Sequence, residues 1–184
     1  SPALYQGEST VRIDPKGYRI IEPLHVGSAT LVYRAQRERD GRPVVLKILD
    51  RHRVTPASIK RYQHEFSLLN SLRSSGVLKG LSLETTLGAP TLVLEDFGGE
   101  SLAKRYPARP LSLKELLTVA TRVISILGEV HDHDIVHCDL NPSNILLNSD
   151  TGEVKLADFG WSVRLNERLT ATQDTAPRGG TLAY

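Results

Sequence analysis

The chain contains one cysteine, one tryptophan and no methionine in 184 residues. A single thiol, Cys138, cannot close an internal disulfide, and no Cys/His set has zinc-finger spacing, which excludes a disulfide-built extracellular scaffold. A reducing, cytoplasmic compartment is the expectation. Apolar runs are short, none near the roughly 18 residues of a membrane-crossing helix. The opening ten residues have neither the basic nor the apolar block of a signal peptide. Charge of one sign is scarce too: 23 Lys and Arg face 21 Asp and Glu, a formal net of +2. Without a basic surplus, nucleic acid is not an expected partner. A chain that starts at Ser1 and holds no methionine is expected to be a piece of something longer.

What is present suits a soluble fold of one domain or two small lobes, with 40% hydrophobic and 24% charged residues. Residues 18–24 and 31–35 are β-rich and are separated by the small-residue run 26–30, which predicts a hairpin. Asp40-Gly41 marks a second turn before Pro43–Leu49, a third strand with Lys47 in its middle. From Pro56 to Leu72, Ile59, Tyr62, Phe66, Leu69 and Leu72 recur at spacings of three and four, which predicts an amphipathic helix with Pro56 in its first turn. Residues 77–83 and 91–95 read as two more strands, and Phe97-Gly-Gly99 as a linker. The first hundred residues are thus expected to hold five strands and one helix. Ser112-Leu-Lys-Glu115 is a capping-box sequence, and the helix behind it has Leu116, Ala120, Val123, Ile124, Leu127 and Val130 as its expected stripe, ending near His131. Residues 144–148 and 154–157 predict two short strands around a turn at 149–152.

The chemistry concentrates in His137-Cys-Asp-Leu-Asn-Pro-Ser-Asn144 and in Asp158. Pro142 opposes helix there, so Asp139 and Asn144 lie on a loop, and Asp158 follows a predicted strand. A carboxylate that accepts a hydroxyl proton, with an amide oxygen and a second carboxylate for Mg²⁺, is what phosphoryl transfer requires. On these residues the sequence resembles the eukaryotic-type protein kinases, whose motifs H-R-D-L-x-x-x-N and D-F-G are matched at His137, Asp139, Leu140, Asn144 and Asp158-Phe159-Gly160. Each piece has a bland reading alone, and Lys47 by itself would be a strand lysine with a solvated tip. Their joint order and spacing carry the resemblance.

The resemblance implies an α+β kinase fold: residues 18–96 as the amino-terminal lobe, with an antiparallel sheet and one major helix, 97–184 as the first part of a mainly helical carboxy-terminal lobe, and 1–17 as an extension. It implies ATP and Mg²⁺ as cofactors. Lys47 would contact the α- and β-phosphates, paired to Glu65; Asn144 and Asp158 would hold Mg²⁺; Asp139 would accept the hydroxyl proton. Gly27, Ser28, Val32, Glu95 and Phe97 would border the nucleotide, the last two through backbone groups. The strings at 27–35, 94–99, 141–144 and 180–184 further resemble the amino-terminal serine/threonine kinase of large bacterial signalling proteins that also carry an ATPase module, GAF sensors and a histidine kinase. That implies covalently linked signalling domains downstream and an unidentified protein substrate.

The sequence departs from the family pattern at several positions. Of the three glycines in G-x-G-x-x-G-x-V only Gly27 survives, with His25 and Thr30 at the others, which predicts weakened phosphate approach or replacement donors from Ser28 and Thr30. Cys138 replaces the arginine that pairs with a phosphorylated loop, so that switch is not expected, and a small buried residue is. Asn141 stands where serine/threonine kinases carry a lysine, removing one positive charge. The long helix from Ser112 would pack against later helices of the family, so an exposed apolar face is expected. Trp161 reads as a packing aromatic; Thr170, Thr172, Thr175 and Thr181 read as solvated loop hydroxyls. Three rivals remain: a zinc site in residues 131–138, rich in His and Asp; a small-molecule kinase of the aminoglycoside phosphotransferase type; and a pseudokinase serving as a nucleotide-binding or interaction module.

Overall fold

The structure is a computed structural model, which describes residues 15–108 and 110–165. The threonines from Thr170 onward and the 180–184 string lie outside the described residues.

Strands β1 (Tyr18–Val26), β2 (Thr30–Arg37), β3 (Pro43–Leu49), β4 (Gly80–Thr86) and β5 (Ala89–Glu95) form one antiparallel sheet, in the order β1-β2-β3-β5-β4. The Gly27 N–H donates to Thr30 O across the first turn, and Gly41 supplies the positive φ (66°) of the second. Period-two alternation in β3 then sorts its side chains. Val44, Leu46 and Ile48 join Tyr18, Leu31, Tyr33, Ala35 and Val93 in a small outer core. Val45 and Leu49 face the other way, into the main core with Leu92 and Leu94. The sheet curls until its edge strands touch, where the Tyr18 hydroxyl donates to Glu84 Oε1 at 2.8 Å. Burial and the Glu84 carboxylate push that phenol up to about 12.

Helix α1 (Pro56–Ser71) starts with Thr55 as cap: Ser58 N–H donates to Thr55 Oγ1 and Thr55 N–H to Ser58 Oγ. Such a cap contributes about 1 kcal/mol. Tyr62, Leu68 and Leu69 are buried beneath the sheet, each contributing roughly 1.5–3 kcal/mol. Phe66 also packs there, so close to Gly80 that a Cβ at that glycine would stand 3.2 Å from its ring.

The strand expected at residues 77–83 is displaced to Gly80–Thr86. Val77 and Leu78 leave the sheet to join the second half of the molecule: Leu78 N–H donates to Leu156 O and Leu156 N–H to Gly76 O, at 2.9 and 2.8 Å. The apolar run is real, but its first residues pair with a different strand. A turn of 3-10 helix at Arg51–Arg53 adds to the expected elements.

Past Gly98 (φ 73°) come β6 (Glu100–Ser101), the short helix α2 (Leu102–Ala108) and α3 (Leu113–His131). Neither β6 nor α2 was expected, because two and seven residues are too few to show a period. Ser112 and Glu115 form the expected reciprocal cap of α3. Its buried side is Val119, Val123, Ile126 and Val130, which keeps Val123 and Val130 of the expected stripe but not Leu116 and Ile124; these two are exposed with Leu113 and Leu117, the exposed apolar face expected of this helix. The helix is apolar on more than one side, so periodicity alone does not select the face that packs. Strands β8 (Ile145–Leu147) and β9 (Val154–Leu156) pair as expected and extend from β6, and β7 (Ile135–Val136) pairs with β10 (Val163–Arg164).

Candidate active site

The floor of the cleft is the loop between β7 and β8. His137 is buried there; its Nε2–H donates to Ala157 O at 3.0 Å, its Nδ1 accepts the Asp139 N–H at 3.3 Å, and its ring packs 4.5 Å from that of Phe159, itself fully buried. These bonds require the neutral ring, and burial pushes its pKa below the ordinary histidine value. Cys138 and Asp158 both have left-handed backbone, with φ of 63° and 61°. For a non-glycine residue that costs about 1–3 kcal/mol and persists only where surrounding contacts over-determine it. Here the clamp is Ser162, whose hydroxyl donates to His137 O.

Asn144 Nδ2 donates to Asp139 O at 2.8 Å and to Asp139 Oδ2 at 3.1 Å, so the two predicted residues are directly joined. Asn141 Nδ2 also donates to Asp139 O, and its own Oδ1 accepts the Ser143 N–H. At the position where the resemblance implies a lysine, the asparagine therefore builds the loop. Cys138 is exposed, not buried as expected: the bond from Asp139 N–H back to His137 makes a tight turn with Cys138 at its apex.

Above this floor Lys47 Nζ lies 2.8 Å from Glu65 Oε2, 2.9 Å from Glu65 Oε1 and 3.0 Å from Asp158 Oδ1. One cation thus joins β3, α1 and the D-F-G turn. Glu65 is 2% exposed, a burial tolerable for a carboxylate only beside an opposite charge. Burial pushes the Lys47 ammonium down, yet the Glu65 and Asp158 carboxylates outweigh it and hold Lys47 above its ordinary value. Burial pushes Glu65 up, opposed by Lys47. Burial would raise Asp158 as well, but Lys47 and the Gly160 N–H prevail and keep it low; 38% of its side chain stays open to the cleft. Asn144 Oδ1 takes no hydrogen bond among the described residues. An open carboxylate and a free amide oxygen are the hard oxygen donors that Mg²⁺ takes alongside phosphates, so the donor set fits that ion.

The roof is the β1–β2 turn. Val32 pairs in register with Lys47 and packs with Leu24 against the main core, while Ser28 is exposed and the His25 ring stands against Gly27. The connecting segment offers less backbone than expected. Asn148 Nδ2 donates to Phe97 O at 2.6 Å, leaving the Phe97 N–H available. The Glu95 side chain turns away to Lys155 Nζ (2.7 Å) and the Lys79 N–H. Sequence reasoning missed Arg34, which pairs with Glu22 of β1 and, at 2.7 Å, with Asp96. An arginine in an exposed-looking strand carries no local sign of a partner 62 residues away.

The histidines of the zinc rival do not converge. His131 and His133 are exposed near the end of α3, whereas both His137 nitrogens are engaged in the loop. Among the described residues no group of three or more His, Cys, Asp or Glu is arranged to hold a metal, and no helix is long and apolar enough to cross a membrane.

Known proteins give the same assignment. Human serine/threonine-protein kinase D2 is 31% identical over 151 residues, covering 80% of this chain and 17% of its own length. The DNA damage-responsive serine/threonine-protein kinase RqkA of Deinococcus radiodurans is 35% identical over 172 residues, covering 91% and 25%. The mitogen-activated protein kinase HOG1A of Wallemia ichthyophaga is 27% identical over 158 residues, covering 86% and 43%. This chain thus spans less than half the length of these relatives. The sequence profile of the protein kinase domain matches residues 18–184, and with the Lys47–Glu65–Asp158 cluster set over the Asp139–Asn144 loop, the chain belongs to the protein kinase domain family.

Proposed function

We propose that the chain is the ATP- and Mg²⁺-dependent part of a serine/threonine protein kinase in bacterial signal transduction, transferring the γ-phosphoryl group to a protein hydroxyl. The observation that carries this reading is the single lysine, Lys47, placed within 3.0 Å of both Glu65 and Asp158. Residues 18–96 act as the nucleotide-holding lobe and residues 97–184 as the partial second lobe that brings the catalytic loop, with 1–17 as an extension. The relatives named as serine/threonine kinases support the acceptor class, and further signalling domains linked downstream are part of the same reading, as is a cytoplasmic location.

Lys47 holds the α- and β-phosphates, and Glu65 fixes the lysine. Asn144 and Asp158 would hold Mg²⁺, which supplies charge neutralisation on the phosphates when bound. Asp139, anchored through Asn144, orients the acceptor hydroxyl and takes its proton. Gly27, Ser28 and Val32 cover the nucleotide, and the Phe97 N–H with the Glu95 backbone borders its base.

The test is calorimetric titration with ATP, with and without Mg²⁺, of the chain and its Asp158→Asn variant, followed by a transfer assay on the full-length protein. Mg²⁺-dependent binding lost in the variant, together with phosphoserine or phosphothreonine product, supports the proposal. Binding without transfer would assign the chain to the nucleotide-binding regulatory reading, which the glycine-poor roof favours.

A further inference from the structure

Segment 95–99, which joins the two halves of the molecule, is held from opposite sides by consecutive residues. The Phe97 carbonyl accepts from Asn148 Nδ2 and the Glu95 carboxylate meets Lys155 Nζ. Asn148 follows β8 and Lys155 lies in β9, so both of these ties run to the second half. Asp96 turns the other way. Its Oδ2 accepts from Arg34 Nε at 2.7 Å, and its Oδ1 accepts the Gly98 N–H at 2.9 Å. The same guanidinium pairs through Nη1 with Glu22, its register partner on β1, and its Nη2 stands 3.5 Å from Gly99 O.

Side chains alternate across a strand. In β2, Leu31, Tyr33 and Ala35 fill the outer core, which puts Val32 and Arg34 on the opposite face, where Val32 packs against the main core. Arg34 thus shares a face with the valine of the roof and is bonded to the residue beside Phe97, whose N–H is left available. The Asp96 side chain is 8% exposed, and a carboxylate so buried needs its counter-charge. A guanidinium presents its N–H donors in one rigid plane, so a single side chain grips β1 and Asp96 together in a fixed geometry.

We infer that Arg34 is a positioning residue for the nucleotide base: acting through Asp96, it sets the spacing between the roof at Val32 and the Phe97 N–H. Glu22 orients the guanidinium from β1. The nucleotide half of this inference rests on the kinase reading above; the clasp of Arg34 on segment 95–99 stands without it. The base is remote from the transferred phosphoryl group, so the clasp serves ground state and transition state alike, and its loss acts on KM and not on kcat.

The full-length protein is compared with Arg34→Met and with the double variant Arg34→Met, Asp96→Asn. Arg34→Met leaves Asp96 buried and unpaired, so its melting temperature is expected to fall; adding Asp96→Asn removes that charge and should restore most of the loss. In both variants KM for ATP is expected to rise roughly tenfold with kcat within about twofold. The Gly98 amide should exchange severalfold faster in both, while the amides of α1 are unchanged. A KM within about twofold of wild type in Arg34→Met would overturn the positioning role. So would a KM that returns to wild type together with the melting temperature in the double variant, since the pair would then only compensate charge. A fall in kcat at unaltered KM would overturn it as well, and unchanged Gly98 exchange would overturn the clasp. Should Arg34→Met fail to fold, the double variant, which buries no unpaired carboxylate at this site, decides the same question. A wild-type protein that binds no ATP would sink the kinase reading, while Gly98 exchange would still decide the clasp.

Discussion

The roof and the floor of the cleft are built on opposite principles. In the floor, Asp139 is tied through its N–H to His137 and through its oxygens to Asn141 and Asn144, and two non-glycine residues carry left-handed backbone. The roof is a short turn closed by the Gly27 N–H to Thr30 O bond, with exposed Ser28 and a histidine ring where the family has glycine. Under the proposed phosphoryl transfer, groups that touch the transferred group must stand within tenths of an ångström of their places, which an over-determined loop serves. A covering turn acts through backbone and tolerates change in its side chains.

The comparison fails first if the floor proves dispensable. Asp139→Asn is expected to lower kcat roughly 10²–10⁴-fold while leaving the fold intact, read by single-turnover transfer and a thermal melt. Next comes the cation between the walls. Lys47→Met should cost roughly 10²–10³-fold in kcat and about 3–5 kcal/mol of stability, because Glu65 is left buried and unpaired. Adding Glu65→Leu to that variant should recover most of the stability and none of the activity; recovery of neither would mean that the pair matters for packing alone.

A pH titration sharpens the account of the floor. His137 has its folded pKa depressed below the ordinary 6.5, so the folded state binds fewer protons than the unfolded one. Its contribution to stability is present above pH 6.5 and is lost as pH falls toward the folded value. The thermal midpoint should therefore drop between pH 7 and pH 5, with a shallower slope in His137→Gln. The smallest effect belongs to the roof. A Cβ at Gly27 would meet the movable His25 ring at 2.6 Å and Thr30 O at an ordinary 3.4 Å, so Gly27→Ala should change KM for ATP less than about threefold. A hundredfold rise would show that the roof is as tightly specified as the floor.

Much of this was legible in the residues. The sequence places Lys47 in mid-strand, Asn144 five positions after Asp139 on a loop, and Ser112 at a cap, and each lies there because short-range chemistry acts within a few residues. Two misreadings share one cause. Val77 and Leu78 have strand character but pair with Leu156, and α3 buries Val119 and Ile126 in place of Leu116 and Ile124. An apolar pattern states that a residue will be covered and leaves open by what. The Phe97 backbone, which the resemblance implies would border the nucleotide, likewise has its carbonyl taken by Asn148, 51 residues on.

Local dihedral preference, periodicity and side-chain chemistry set most of the elements, their caps and turns, and the inventory of acid, base and cation. Which charges meet follows from packing. The Lys47–Glu65–Asp158 cluster, the Arg34–Asp96 pair and the contact of Trp161 with Arg61 join residues from 18 to 111 positions apart. Such distances close only when burial of the shared core makes up for the chain entropy lost in bringing the strands and α1 together.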